Sequence, residues 1–91
     1  MHAVLVTVQL EPGHEQEGVV YVQSEVIPRI RQIPGITAGY WLAPMDDKGV
    51  TVFICENEQT ARGFGESVRT GPTAPFATIA NVEVREVIAQ L

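Results

Sequence analysis

Tyr40 and Trp41 stand side by side in this chain, and two adjacent large aromatics suit the wall of a pocket for a flat aromatic molecule. Phe64 and Phe76 offer further wall. Apolar clefts holding a few polar groups are the usual form of a small-ligand site. The same four rings serve equally well to pack a core or an interface between chains, so residue type leaves both roles open. Gly63 and Gly65 flank Phe64 and leave space beside it, which favours a cavity there. Cys55 is the only cysteine. It acts as a nucleophile only where a cation, a histidine or a helix N-terminus lowers its pKa. It lies just before a helix, yet a lone strand cysteine is ordinarily a small buried hydrophobe. His2 and His14 are isolated, and no His, Cys, Asp or Glu cluster has the spacing of a metal site. His2 reads as an exposed terminal histidine rather than a pocket residue. No metal and no cofactor is expected.

The elements that position these residues belong to one small domain, residues 1–91, with 45% apolar and 19% charged residues. That balance is the balance of a folded globular chain. A core this small gains from burial against another copy. The net charge is −5 and no basic cluster occurs, so nucleic acid and anionic membranes are not expected partners. Neither a signal peptide nor a membrane span is visible, and a cytoplasmic location is the default expectation.

His2 to Leu10 reads as a strand, rich in β-branched residues, and Glu11-Pro12-Gly13 ends it. Val19, Val22, Val26, Ile30 and Ile33 recur at three- and four-residue steps, which predicts a helix over about 14–33. Pro28 lies inside it and removes the bond to the carbonyl of Ser24, so a kink near Ser24–Pro28 or a tight last turn is expected. Ile36 to Met45 reads as the second strand, with Gly39 marking a bulge or a close backbone approach. A polar hairpin turn follows at Asp46-Asp47-Lys48-Gly49, then a third strand over Val50–Cys55. Asn57 is a suitable N-cap for a second helix carrying Ala61, Phe64 and Val68. Residues 71–80 read as a long connection, and Asn81–Ala89 as the last strand.

The order βαββαβ predicts an α+β, ferredoxin-like domain: a four-stranded antiparallel sheet with two helices on one face. Val4, Val6, Val8, Val50, Val52, Ile54, Val82 and Val84 are expected to meet the helices. Leu5, Phe53 and Val87 are then expected on the other face, among Thr7, Gln9, Thr51, Glu83 and Arg85, with Trp41 there too unless a bulge at Gly39 turns it to the helices in place of Tyr40. A face half apolar suits an interface better than water, and a second copy of the chain is the simplest cover.

The chain resembles the dimeric α+β barrel superfamily, and within it the small proteins grouped with antibiotic-biosynthesis monooxygenases. Three features carry the resemblance: the element order, the run from Ile27-Pro28-Arg29-Ile30 through Ile33-Pro34-Gly35 into Gly39-Tyr40-Trp41, and the final run Val82–Val87. It implies a homodimer whose two sheets close into a barrel. Members that oxidise phenolic substrates need no metal or flavin, because the substrate supplies the electrons to oxygen. For that activity Tyr40, Trp41 and Arg62 are the residues of the expected kind. Haem-degrading relatives use an asparagine on the first strand, a tryptophan on a central strand and a histidine on the second helix. This chain has Thr7 and Gln9, Phe53 and no histidine at the corresponding places, which argues against haem degradation. Three readings follow: a homodimer that binds a small apolar or aromatic molecule, a cofactor-independent monooxygenase for a phenolic or quinone-like substrate, and a structural module with a filled core.

Overall fold

The computed structural model describes every residue from Met1 to Leu91. Its elements run β1 (His2–Leu10), α1 (Glu15–Tyr21), a π-helical turn (Val22–Val26), α2 (Ile27–Ile30), β2 (Ile36–Trp41), β3 (Lys48–Cys55), α3 (Glu58–Thr70) and β4 (Ala77–Glu86). The strands form one antiparallel sheet in the order β2-β3-β1-β4. That is the ferredoxin-like α+β fold read from the element order. No helix is long and apolar enough to cross a membrane.

The first helical run is continuous but irregular. Pro28 has no N–H to offer Ser24, and the run widens into its π turn just before that proline. The hydroxyl of Ser24 donates to the carbonyl of Val20 at 2.7 Å, a competing bond that favours a bend. Pro28 itself fits because it lies in the first turn of α2. Nothing in α1, the π turn or α2 is buried. Only the end of the apolar stripe, Ile30 and then Ile33, packs against the core; Val19, Val22 and Val26 do not.

α3 behaves in the opposite way. Asn57 caps it, its Oδ1 accepting from the backbone N–H of Thr60 at 2.8 Å. Ala61, Phe64 and Gly65 are buried. A Cβ on Gly65 would touch Val82 and Val84 at 3.4 Å, so its absence lets α3 lie close on the sheet. Gly63 looks into open space. The two glycines thus do not make the cavity that residue type suggested: one tightens the packing and the other faces outward. The core consists of Val4, Val6, Phe53, Cys55, Ala61, Phe64 and Val82.

The face assignment of β3 is the reverse of that expected. Val4 lies opposite Phe53 and Val6 opposite Thr51, so Thr51, Phe53 and Cys55 point to the helices. Val50, Val52 and Ile54 lie on the outer face beside Leu5. Both sets are largely apolar, and alternation separates two faces without naming which is inner. The pairing with β1 decides it. Trp41, opposite Thr51, also faces the helices, whereas Tyr40, opposite Val52, does not. Val87 lies beyond the end of β4.

Other boundaries shift. β2 stops at Trp41, and only a single bridge, Met45 to Lys48, continues the hairpin. Asp46 and Asp47 take the positive φ values of its turn, 51° and 61°, while Gly49 lies in β3. β4 begins at Ala77 rather than Asn81, with a register shift opposite Thr7/Val8 that leaves Ala80 unpaired. The bulge in β2 falls at Thr37, and Gly39 is instead a close approach, where a Cβ would lie 3.2 Å from Phe53 and 3.3 Å from Trp41.

Candidate functional site

Because α3 packs tightly and the first helical run stands off, a cleft opens between that run and the sheet. Its volume is about 1030 Å³, and 22 of its 35 lining residues are hydrophobic, which marks it as a place for an apolar body rather than for a hydrated ion. Val6, Val8, Thr51 and Phe53 form its floor. Val19, Val22, Val26 and Ile30 form the wall under the first helical run, so the stripe that reads as core-facing in the sequence faces the cleft.

Aromatic packing fixes the rings. Trp41 meets Phe53 edge-on with centroids 5.3 Å apart, and Phe53 meets Phe64 the same way at 4.7 Å. Edge-to-face contact is the favoured geometry of such pairs and holds each ring in one orientation. The bare backbone at Gly39 gives the Trp41 ring its seat. A second cluster closes another part of the cleft. Phe76 stacks on His14 at 5.0 Å and 8° between planes, and Tyr21 meets Phe76 edge-on at 6.5 Å. The Glu17 carboxylate lies 2.9 Å from His14 Nδ1, a contact without hydrogen-bond alignment. His14 itself does not line the cleft.

Of the residues singled out from sequence, Trp41, Phe64 and Phe76 come together around the cleft. Tyr40 borders it, but from the outer-face register of β2, and the residue is 61% exposed. Arg62 does not reach it. It lies on the exposed side of α3 and binds Glu58 at 2.7 Å. That hydrogen bond, with the guanidinium charge, holds the Glu58 carboxyl below the usual carboxylate range. Cys55 is fully buried and does not line the cleft. Burial pushes its thiol pKa up, away from a nucleophile. Tyr21, Arg29 and Phe53 line the cleft and were not among the candidates. Tyr21 follows the apolar stripe by two residues from Val19, which was the available signal.

The polar groups around the cleft are few: Glu15, Gln23 and Arg29 on the helical run, Thr51 on the floor, and Ser67, Thr70 and Thr73 along the end of α3 and just after it. The Ser67 hydroxyl is already committed to the carbonyl of Phe64 at 2.7 Å. No three His, Cys, Asp or Glu side chains gather anywhere in the structure. No histidine, cysteine or methionine lines the cleft.

The antiparallel sheet and its helices make a ferredoxin-like α+β fold, and solved structures share that fold with this chain over its whole length. Among solved structures it is similar to the haem degrader MhuD of Mycobacterium tuberculosis with two haems bound in its active site. The TM-score is 0.79 at 16% identity, covering 100% of this chain and 99% of that one. A substituted MhuD with two manganese protoporphyrin IX per active site gives a TM-score of 0.75 at 14% identity, covering 100% and 98%. No family model and no curated protein sequence matches the chain.

Proposed function

We propose that this protein binds a flat, largely apolar aromatic molecule in the cleft under its first helical run, and that it does so as a homodimer. The observation that carries the reading is the cleft itself: about 1030 Å³, walled by Trp41, Phe53, Phe64 and Phe76. Small-ligand sites usually run to about 300–1,000 Å³. A filled core is thereby disfavoured. The porphyrins held by the similar MhuD structures are flat molecules of suitable size and support the reading. The donor set does not suit an iron centre, however. Haem iron is usually held by His, Cys, Met or Tyr, and here only Tyr21 and Tyr40 border the cleft, one packed on Phe76 and one largely exposed. The ring plane, not a metal, is the recognised part.

The dimer is supported by the outer face of the sheet, where Leu5, Val50, Val52 and Ile54 lie together, flanked by Tyr40 and by Leu42 at 53% exposure. Native mass spectrometry tests both parts at once. Twice the chain mass is expected, with metal-free protoporphyrin IX and haemin retained equally. A monomer defeats the dimer. Haemin retained far better than the metal-free ring defeats recognition by shape.

A second reading, a cofactor-independent monooxygenase for a phenolic or quinone-like substrate, is favoured by Trp41 in the wall beside the hydroxyl of Thr51, its partner in the β2–β3 register. There a substrate CH₂ would become C=O, one oxygen atom staying and the other leaving as water, with the substrate carbon giving up all four electrons. Oxygen uptake with a polycyclic phenol, matched by an equal amount of quinone, tests it. Binding without uptake leaves the binding role alone.

A further inference from the structure

The six basic residues of the chain divide cleanly. Arg62, Arg69 and Arg85 are held by Glu58, Glu66 and Glu83. Arg29, Arg31 and Lys48 have no carboxylate within ion-pair distance. Of all six, only Arg29 lines the cleft. It projects from α2, between Ile27 and Ile30, which line the cleft too.

We infer that Arg29 selects an anionic group on the cleft's ligand, so that the ligand is a flat apolar molecule bearing a carboxylate. This rests on the cleft being a ligand site. A guanidinium stays charged at every accessible pH, is weakly hydrated, and presents a planar fork that matches a carboxylate. The rest of the molecule works against an anion, because the net charge is −5. An anionic ligand is therefore held only where a local cation offsets that field, and the cleft has one such place.

The same run fixes the ligand's direction. Glu15 also lines the cleft, from the start of α1. Arg29 lies fourteen helical steps further on, roughly 20 Å at the helical rise. A carboxylate is repelled at the Glu15 end and held at the Arg29 end. The apolar ring system then lies along Val19, Val22 and Val26, over Trp41 and Phe53.

The test uses two fluorescent probes that share one ring system, pyrenebutyrate and pyrenebutanol. Affinities are measured by anisotropy on the intact protein at low salt. The unmodified protein is expected to bind the carboxylate about fivefold more tightly than the alcohol, the size of a partly solvated charge-assisted bond. Arg29→Met is expected to bring the two probes to parity. Arg31→Met, at a neighbouring cation outside the cleft, is expected to keep the preference. A preference that survives Arg29→Met, or vanishes equally in Arg31→Met, overturns the assignment while leaving the cleft as a binding site. Failure of both probes to bind the unmodified protein overturns the binding reading itself, and the assignment with it.

Discussion

Replacing Trp41 by alanine separates a pocket wall from a core plug. Trp41 is half-buried and lies over Gly39, with one edge-to-face partner, Phe53. Losing that pairing costs about 1 kcal/mol. Losing the buried part of the ring, roughly 50–100 Å² at 25 cal/mol per Å², costs about 1–2 kcal/mol more. No closed void is left, because the site already opens on the cleft, so the cavity penalty of a sealed core does not apply. Trp41→Ala is therefore expected to cost about 2–3 kcal/mol. Phe53 is the comparison. It is 3% exposed and meets both Trp41 and Phe64. Phe53→Ala is expected to cost about 4–5 kcal/mol, at the upper end for a buried aromatic. Thermal melts at one fixed protein concentration should place the variants about 10 °C apart, since each kcal/mol moves a domain of this size by about 4–8 °C. Trp41→Ala should also weaken pyrenebutanol binding at least tenfold while the assembly mass stays unchanged. Equal melting losses for the two variants, or unchanged ligand affinity, would refute the wall assignment. Loss of the assembly in Trp41→Ala would place the ring in an interface.

Three further outcomes are expected. Gly35 has φ +91° and a Cβ there would lie 2.9 Å from Thr60 Cγ2, so Gly35→Ala should cost roughly 2–3 kcal/mol in urea melts; Thr60→Ala should recover the steric part in a double-mutant cycle, and no recovery would show that the backbone alone is responsible. Asp47 sits at φ 61° in a tight hairpin turn, so Asp47→Gly should raise the urea midpoint by an amount worth up to about 1 kcal/mol, and a fall would contradict the turn geometry. Burial raises the Cys55 thiol pKa in the folded state; the unfolded thiol ionises first, the folded chain binds more protons, and stability must fall as pH climbs past the ordinary thiol range. Cys55→Val should flatten that alkaline slope, and an identical slope in both proteins would exclude the thiol as its source.

Much of the architecture was legible because its signals are local. Asn57 three residues before Thr60 is a cap that needs no tertiary information, and Pro28 announces an irregular helix wherever it sits. The faces of β3 were not legible. Val50, Val52 and Ile54 look more like core than Thr51, Phe53 and Cys55, and only the register with β1 reverses them. The start of β4 was missed because Ala77–Ala80 is short and broken by a bulge. At the site, ring type drew attention to Trp41, Phe64 and Phe76, all of which line the cleft. Arg62 was drawn in by chemistry alone and lies outside, since Glu58 one turn earlier holds it on the exposed face. Whether an apolar stripe packs down or roofs a space depends on how far its helix stands from the sheet. That distance is a tertiary property, invisible in the spacing of Val19, Val22 and Val26.

The unequal seating of the two helical layers has a consequence for how such a chain can change over generations. Residues under α3 are locked, because Gly65 leaves no slack against Val82 and Val84. Val19, Val22 and Val26 along the first helical run pack against no core residue. Substitutions there alter what the molecule recognises with little penalty in folding, so binding preference can drift while the scaffold stays put. Two proteins on this plan can therefore keep one backbone, share few residues and differ in what they hold.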